Sequence, residues 1–248
     1  MTGSGFYVVS AILVLKSLAA FGGFYARGAF RRGDYLRTAW TLYGTGYLLL
    51  VAADVLVPSL PSAAPPHAAT SLAVRAALIL ASNVASVLAS VMIARTFAKT
   101  GLELAGSALS RRAVDGLFFV VTLAIVGPAL YLDMRGVARG SLPAYGALAS
   151  DVGDLVALSL VAPILRTTLA LRGGRLVWPW LLLTATELTW LLYDAAGTLL
   201  PLWSDGPARF PYEELLRALA CSLAFLAGVA QRRVVGVDAF EASPPIET

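Results

Sequence analysis

Apolar residues occur along the chain in seven blocks of roughly twenty, separated by short stretches that contain charged residues, proline or glycine. A helix of about 20 apolar residues spans the roughly 30 Å hydrocarbon core of a bilayer. The blocks predict seven transmembrane helices, at about residues 6–27, 37–57, 72–94, 113–133, 150–170, 178–200 and 212–231. The expected fold is an all-α integral membrane protein, with one domain over residues 1–233 and a short disordered cytoplasmic tail over 234–248.

Composition agrees with a membrane location and restricts the chemistry. Of the 248 residues, 58% are hydrophobic and 14% are charged, whereas about a quarter of the residues of a soluble domain are charged. One cysteine and one histidine leave no disulfide pair and no clustered ligands for zinc, haem or a di-iron centre. We expect a multi-pass protein of the cell membrane, typically the bacterial inner membrane, with lipids as partners and with no metal and no cofactor.

The basic residues of the short connections predict the orientation, because loops rich in Lys and Arg stay in the cytoplasm. One side carries Arg27, Arg31, Arg32, Arg37, Arg95, Lys99, Arg111, Arg112, Arg166, Arg172, Arg175, Arg232 and Arg233, and the other carries Arg135, Arg139 and Arg209. The amino terminus is therefore expected outside and the carboxyl terminus in the cytoplasm. The net charge of +4 is then a topology signal, and nucleic-acid binding, which needs a continuous basic face, is not expected.

The chain also resembles itself at an offset of 140 residues. Arg32, Gly33, Trp40, Asp54 and Pro61 align with Arg172, Gly173, Trp180, Asp194 and Pro201. The two copies have the same orientation, which predicts a 3+1+3 arrangement of parallel repeats: repeat one at about 6–97, a linker helix at about 113–133 and repeat two at about 150–231. Convergence of two similar amphiphilic helices is the alternative.

Polar residues at membrane depth are costly to bury and are therefore candidate functional residues. The candidates for ligand binding are Lys16, Tyr47, Asp54, Arg75, Asn83, Asp151, Asp154, Glu187, Trp190, Asp194 and Arg217. Lys16, Asn83 and Glu187 fall near the midplane, and the other ionisable candidates fall in the outer third. An ion pair between Lys16 and Glu187 would reduce the cost of burying both. The alternatives are structural: a pair that fixes helix register, polar side chains that join helices, and solvated helix ends.

The depth of these residues predicts a cavity that is open to the outside and closed towards the cytoplasm. In the sixth span Trp180, Thr184, Glu187, Leu191 and Asp194 share one helical face. The second span repeats this pattern with Trp40, Tyr47 and Asp54. An aromatic wall of Tyr43, Tyr47, Trp180, Trp190 and Tyr193 would add cation–π surface, although an interfacial aromatic belt is the alternative. Such a cavity suits a polar or cationic ligand.

Two stretches resemble known families. Residues 150–195 contain Asp151 and Asp154 at the start of one span, an Arg-Gly turn from Arg172, a Trp-Pro-Trp-Leu-Leu sequence from Trp178, and Asp194 near the end of the next span. In these features they resemble the later helices of bacterial seven-helix membrane sensory input modules. Those helices usually precede a diguanylate cyclase or histidine kinase domain, which this chain lacks, so the resemblance implies output through a partner protein.

The second stretch, residues 190–202, is similar to the sixth helix of microbial rhodopsins. Those proteins hold retinal on a lysine of the seventh helix, and the seventh span here has no lysine. Lys16 is in the wrong helix for that motif. We therefore expect no retinal Schiff base.

Three functions are compatible with these features. The first is a receptor or sensor that binds a small polar or cationic ligand in the outward cavity and signals to a cytoplasmic partner through the Arg-rich loops. The second is a small-solute or proton-coupled transporter or channel, and the third is an intramembrane lipid enzyme. The enzyme is least expected, because no nucleophile motif accompanies the carboxylates. The inner halves of spans two, five and six are nearly apolar, which favours sensing over transport.

Overall fold

The computed structural model describes residues 3–56, 68–99, 108–170, 174–175, 177–199 and 209–241, and these residues form seven α-helices. The helices are α1 Gly3–Arg27, α2 Tyr35–Leu56, α3 Ala68–Lys99, α4 Ala108–Ala138, α5 Leu142–Ala170, α6 Val177–Leu199 and α7 Arg209–Glu241. The all-helical prediction is confirmed. Three stretches, Tyr35–Leu56, Ser71–Thr96 and Asp115–Ala138, are long and apolar enough to cross a membrane, and they indicate a membrane protein.

Several helices are longer than the apolar blocks that predicted them. The blocks mark the part of a helix that suits hydrocarbon, whereas hydrogen bonds propagate the helix into polar flanking residues. The largest change is in α7, which continues to Glu241, so the prediction that a disordered tail begins at residue 234 is wrong. Arg232 places its guanidinium carbon 5.3 Å from the centre of the Tyr25 ring of α1, so α7 contacts α1 two residues before this extension begins. Residues 242–248 lie outside the described residues.

The start of α2 and the end of α4 have clear local causes. Gly33 has a φ of +89°, a conformation that residues with a side chain rarely adopt, and Asp34 follows it. The Asp34 carboxylate accepts a hydrogen bond from the Leu36 amide at 2.9 Å, so Asp34 caps α2. Gly140, with a φ of +76°, ends α4 in the same way that a C-terminal glycine ends many helices.

Side chains are distributed in the opposite sense to that of a soluble protein. Large apolar residues lie on the outside, among them Phe21, Leu48 and Leu117, which are 56%, 51% and 65% exposed. Ionisable residues such as Lys16 and Glu187 are buried inside. Because lipid tails are as apolar as leucine, a bundle in a bilayer loses nothing by exposing leucine and gains by enclosing its polar groups.

Six helices form a closed ring, in the order α1, α2, α3, α5, α6 and α7, with α7 packing against α1. Helix α4 lies outside this ring against α5 and α6, where Val126 and Leu191 are fully buried. We call the end of the ring where α1 finishes and α2 begins the base, and the end where α2 finishes and α3 begins the mouth. Towards the base the ring is filled by four residues that are at most 1% exposed: Trp40, Ile93, Trp180 and Leu183.

Glycines allow α1 to approach both of its neighbours closely. A Cβ atom on Gly23 of α1 would lie 2.7 Å from the Cα atom of Gly44 of α2, and a Cβ atom on Gly228 of α7 would overlap the backbone of Gly22. Contacts at these distances are possible only without side chains. The small residues therefore set the separation of α1, α2 and α7.

We expect Gly228→Ala to destabilise the protein by about 1–3 kcal/mol, because the methyl group must separate two backbones in contact. The matched control is Gly116→Ala in α4, where a Cβ atom would meet nothing within 4 Å and alanine favours the helix. Thermal unfolding in detergent should give a melting temperature several degrees lower for Gly228→Ala and one unchanged or slightly higher for Gly116→Ala. Equal effects of the two changes would contradict the close contact.

Candidate ligand-binding cavity

A cavity of about 230 Å³ lies inside the ring, between its middle and its mouth. Ten of the eleven predicted ligand-binding residues line it: Lys16, Tyr47, Asp54, Arg75, Asn83, Asp154, Glu187, Trp190, Asp194 and Arg217. They come from all six helices of the ring. Cavities for drug-sized ligands measure about 300–1,000 Å³, so this one suits a smaller molecule.

Lys16 and Arg75 share a single carboxylate on the wall between α1 and α3. The Lys16 ammonium donates to Oδ2 of Asp54 at 2.5 Å, and the Arg75 guanidinium lies 3.0 Å from Oδ1. Lys16 is 5% exposed, so the pair removes much of the cost of burying an ammonium group.

The suggested pairing of Lys16 with Glu187 is therefore wrong. Helix α1 packs against α2 and α7, and Asp54 is on α2, whereas Glu187 is on α6. The order of the helices in the ring decides which carboxylates the Lys16 side chain can contact, and it places α2, which carries Asp54, next to α1.

Arg217 occupies the wall next to Lys16, on α7. Its guanidinium donates a hydrogen bond to the Tyr193 hydroxyl, and its carbon atom lies 4.9 Å from the centre of that ring. It also forms an ion pair with Glu214 at 3.1 Å. Arg217 is thus held by α6 and by its own helix, and its position is fixed on the cavity wall.

The wall formed by α5 and α6 is acidic. The Ser150 hydroxyl donates to Asp194 at 2.7 Å, and the carboxyl groups of Asp154 and Asp194 are close enough to form a hydrogen bond. Glu187 is 4% exposed and lies deeper, near Tyr43. Within the part of the chain that the structure describes, no Lys or Arg forms an ion pair with Asp154, Asp194 or Glu187.

Four aromatic side chains connect the basic and acidic walls. Tyr43 packs edge-on against Tyr47, with ring centres 5.4 Å apart, and Trp190 packs edge-on against Tyr193 at 5.5 Å. The Trp190 indole donates to the Tyr47 hydroxyl at 2.8 Å, which joins the two pairs. All four line the cavity. Trp180, the fifth member of the predicted aromatic wall, lies instead in the core at the base.

Three buried polar atoms at the cavity wall have no hydrogen-bond partner among the described residues: the Tyr43 hydroxyl oxygen, Nδ2 of Asn83 and Oδ2 of Asp154. Gly153 of α5 brings Asn83 and Asp154 close to one another, because a Cβ atom there would lie 3.3 Å from Cβ of Asn83. Unsatisfied buried groups are rare and costly. The Asn83 donor and the Asp154 acceptor therefore lie on one wall and are available to a ligand or to water.

Asp151 does not line the cavity, although it was predicted as a ligand-binding residue. It is 1% exposed and lies beside Asp133 of α4. A step of three residues rotates Asp151 by about 60° around α5 from Asp154, which is enough to place it at the contact with α4, outside the ring. Asp133 was not among the predicted site residues, and its only signal in the sequence is that an acidic residue occupies the last predicted position of the fourth span.

Comparison of the chain with protein-family models, with curated proteins and with solved structures finds no match. The resemblances to sensory input modules and to microbial rhodopsins stay predictions.

We expect Asp54→Asn to destabilise the protein by about 3–5 kcal/mol, because it leaves Lys16 and Arg75 buried without their counter-charge. The double change Lys16→Met with Asp54→Asn should destabilise the protein less than Asp54→Asn alone. Thermal unfolding of the unchanged protein, the two single variants and the double variant measures this difference in one double-mutant cycle. Asp194→Asn is the control, because its partner Ser150 is neutral, and it should cost about 1 kcal/mol. Additive effects in the cycle would show that Lys16 and Asp54 do not interact.

The carboxyl pair between α4 and α5 gives a separate prediction. Asp151→Asn keeps a hydrogen-bonding group opposite Asp133 and removes one of two acidic groups, so the melting temperature at pH 8 should stay equal or rise. Asp151→Ala removes the partner altogether and should cost about 1–3 kcal/mol. If both changes lower the melting temperature equally, Asp151 has no hydrogen-bonding role at this interface.

Proposed function

We propose that the chain is a multi-pass membrane receptor or sensor, which binds a small polar or cationic molecule in the cavity and signals through its opposite face. The observation that carries this proposal is the contrast between the two halves of the ring. The half towards the mouth is lined by charged and aromatic side chains, whereas the half towards the base is packed with buried tryptophan, leucine, isoleucine and alanine.

This contrast favours a receptor over a transporter. A transported solute needs a polar path that can open on both sides of the membrane. Trp40 and Trp180, 0% and 1% exposed, stand between the cavity and the base, and a path through them would require the core to come apart. A receptor needs access from one side, together with helices that can pass on a change.

The mouth is proposed to face the exterior and the base the cytoplasm, with seven spans in a 3+1+3 arrangement. The concentration of basic residues at the base supports the orientation. The ring order supports the repeat, because replacing α1, α2 and α3 by α5, α6 and α7 reproduces the same set of neighbours. Positions 140 residues apart also have similar surroundings: Trp40 and Trp180 are in one core, and Asp54 and Asp194 line one cavity.

The acidic and aromatic walls support a cationic ligand. No Lys or Arg of the described residues forms an ion pair with the carboxyl groups that α5 and α6 present to the cavity, and aromatic faces attract ammonium groups through their quadrupole. Signalling is proposed to proceed through α7, since Arg217 lines the cavity and Arg232, four turns further along, contacts Tyr25 at the base. A ligand that moves Arg217 would thereby alter the basic surface that a cytoplasmic partner meets.

Choline, a small organic cation, is the probe that tests this proposal. Calorimetric titration in lipid nanodiscs, against sodium chloride at equal ionic strength, should show saturable binding. Asp154→Asn should weaken binding at least tenfold, because it alters the acidic wall. Asp151→Asn, the same change three residues away and outside the cavity, should leave the affinity unchanged. Equal effects of the two changes, or no saturable binding, would contradict the proposed site.

Sealed proteoliposomes separate the receptor from the transporter. The receptor predicts that radiolabelled choline does not accumulate beyond the level in protein-free vesicles. Accumulation that depends on the protein and is lost in Asp154→Asn would make the chain a transporter that uses the same cavity.

A further inference from the structure

The charges around the cavity are separated into two walls. The cations Lys16, Arg75 and Arg217 are on α1, α3 and α7, grouped around Asp54. The acidic residues Asp154, Asp194 and Glu187 are on α5 and α6. Because α7 and α1 are neighbours in the ring, the basic residues form one continuous arc, and the two acidic helices are likewise adjacent.

Among the described residues, each wall keeps charges of one sign close together. On the basic arc, three cations face one cavity-lining carboxylate, Asp54, which binds two of them. Arg217 forms an ion pair with Glu214 in addition, so these ion pairs join three cations to two carboxylates. On the acidic wall, the hydrogen bonds of Asp194 come from Ser150 and Asp154, which supply no positive charge. The cavity is therefore dipolar.

A purely cationic ligand would satisfy the acidic wall and leave the surplus of the basic arc facing an ammonium group. A purely anionic ligand would do the reverse. A molecule with an ammonium group and an anionic group a few bonds apart can satisfy both walls at once, since they face a single cavity of about 230 Å³. Trp190 marks the ammonium end, because it is on the same helix as Glu187 and Asp194, whereas the Tyr193 ring already lies against Arg217.

We propose that the ligand of this cavity is a small zwitterion, with its ammonium group at the acidic and aromatic wall and its carboxylate at the arc of Lys16, Arg75 and Arg217. The open donor of Asn83 lies on the wall between α3 and α5, where it can hydrogen-bond the carboxylate of such a molecule, and the open oxygen of Asp154 beside it can face the positive end. This inference rests on the proposed ligand-binding function and specifies the class of ligand.

Glycine betaine and choline form the test pair, since both carry a trimethylammonium group and glycine betaine has a carboxylate where choline has a hydroxymethyl group. Titration of the full chain in nanodiscs should give at least tenfold tighter binding of glycine betaine than of choline. Sodium acetate, the carboxylate without the ammonium group, should bind at least tenfold more weakly than glycine betaine.

The variants assign each end of the ligand. Arg75→Gln should reduce the ratio of the two affinities at least tenfold, because it removes a cation that meets the carboxylate of glycine betaine and has no such group to meet in choline. Asp154→Asn should weaken both ligands. The comparison of the two ligands on the unchanged protein decides the proposal even if a variant does not fold. Choline bound as tightly as glycine betaine would overturn the zwitterion and leave the receptor for cations standing. Absence of saturable binding by either would overturn both proposals.

Discussion

A charge inside a helical bundle that is surrounded by lipid must find its counter-charge within the protein, and this constraint organises the structure. Lys16, in the middle of α1, has one way to remain charged at low cost, which is a carboxylate in reach on an adjacent helix. Asp54 supplies it and is held in turn by Arg75 on α3. The three residues connect three consecutive helices at the cavity wall, so the position of one helix depends on the other two.

Such a network requires helices that are close enough for short polar contacts, and small residues provide that closeness. Gly23 and Gly44 bring α1 against α2, while Gly46 approaches Ser86 of α3, whose hydroxyl oxygen would lie 3.1 Å from a Cβ atom at position 46. With small residues at the crossings and large apolar residues facing outwards, the interior of the ring is charged and aromatic towards the mouth and apolar towards the base. The cavity follows from this division of side chains.

The sequence was sufficient to predict the helices and most of the cavity wall, but it could not predict the partners. Apolar length sets where a helix runs, and helical periodicity sets which residues share a face, so Glu187 and Asp194 could be placed together on the interior. Partners depend on the ring order, which no local pattern encodes. This is why Lys16 pairs with Asp54 and not with Glu187, and why Asp151 faces α4: its placement required knowing that α4 lies outside the ring.

Under the proposed repeat, the two halves keep one scaffold and differ in charge. The buried tryptophan and the outer aspartate are retained in both halves, but Tyr47 stands where the second half has Glu187. Asp54 is bound by two cations, whereas Asp194 is bound by a serine and a second carboxyl group. A symmetric pair of such sites would suit two identical groups. Their divergence makes the two walls opposite in charge, so a pseudo-symmetric ring presents an asymmetric surface to whatever enters its mouth.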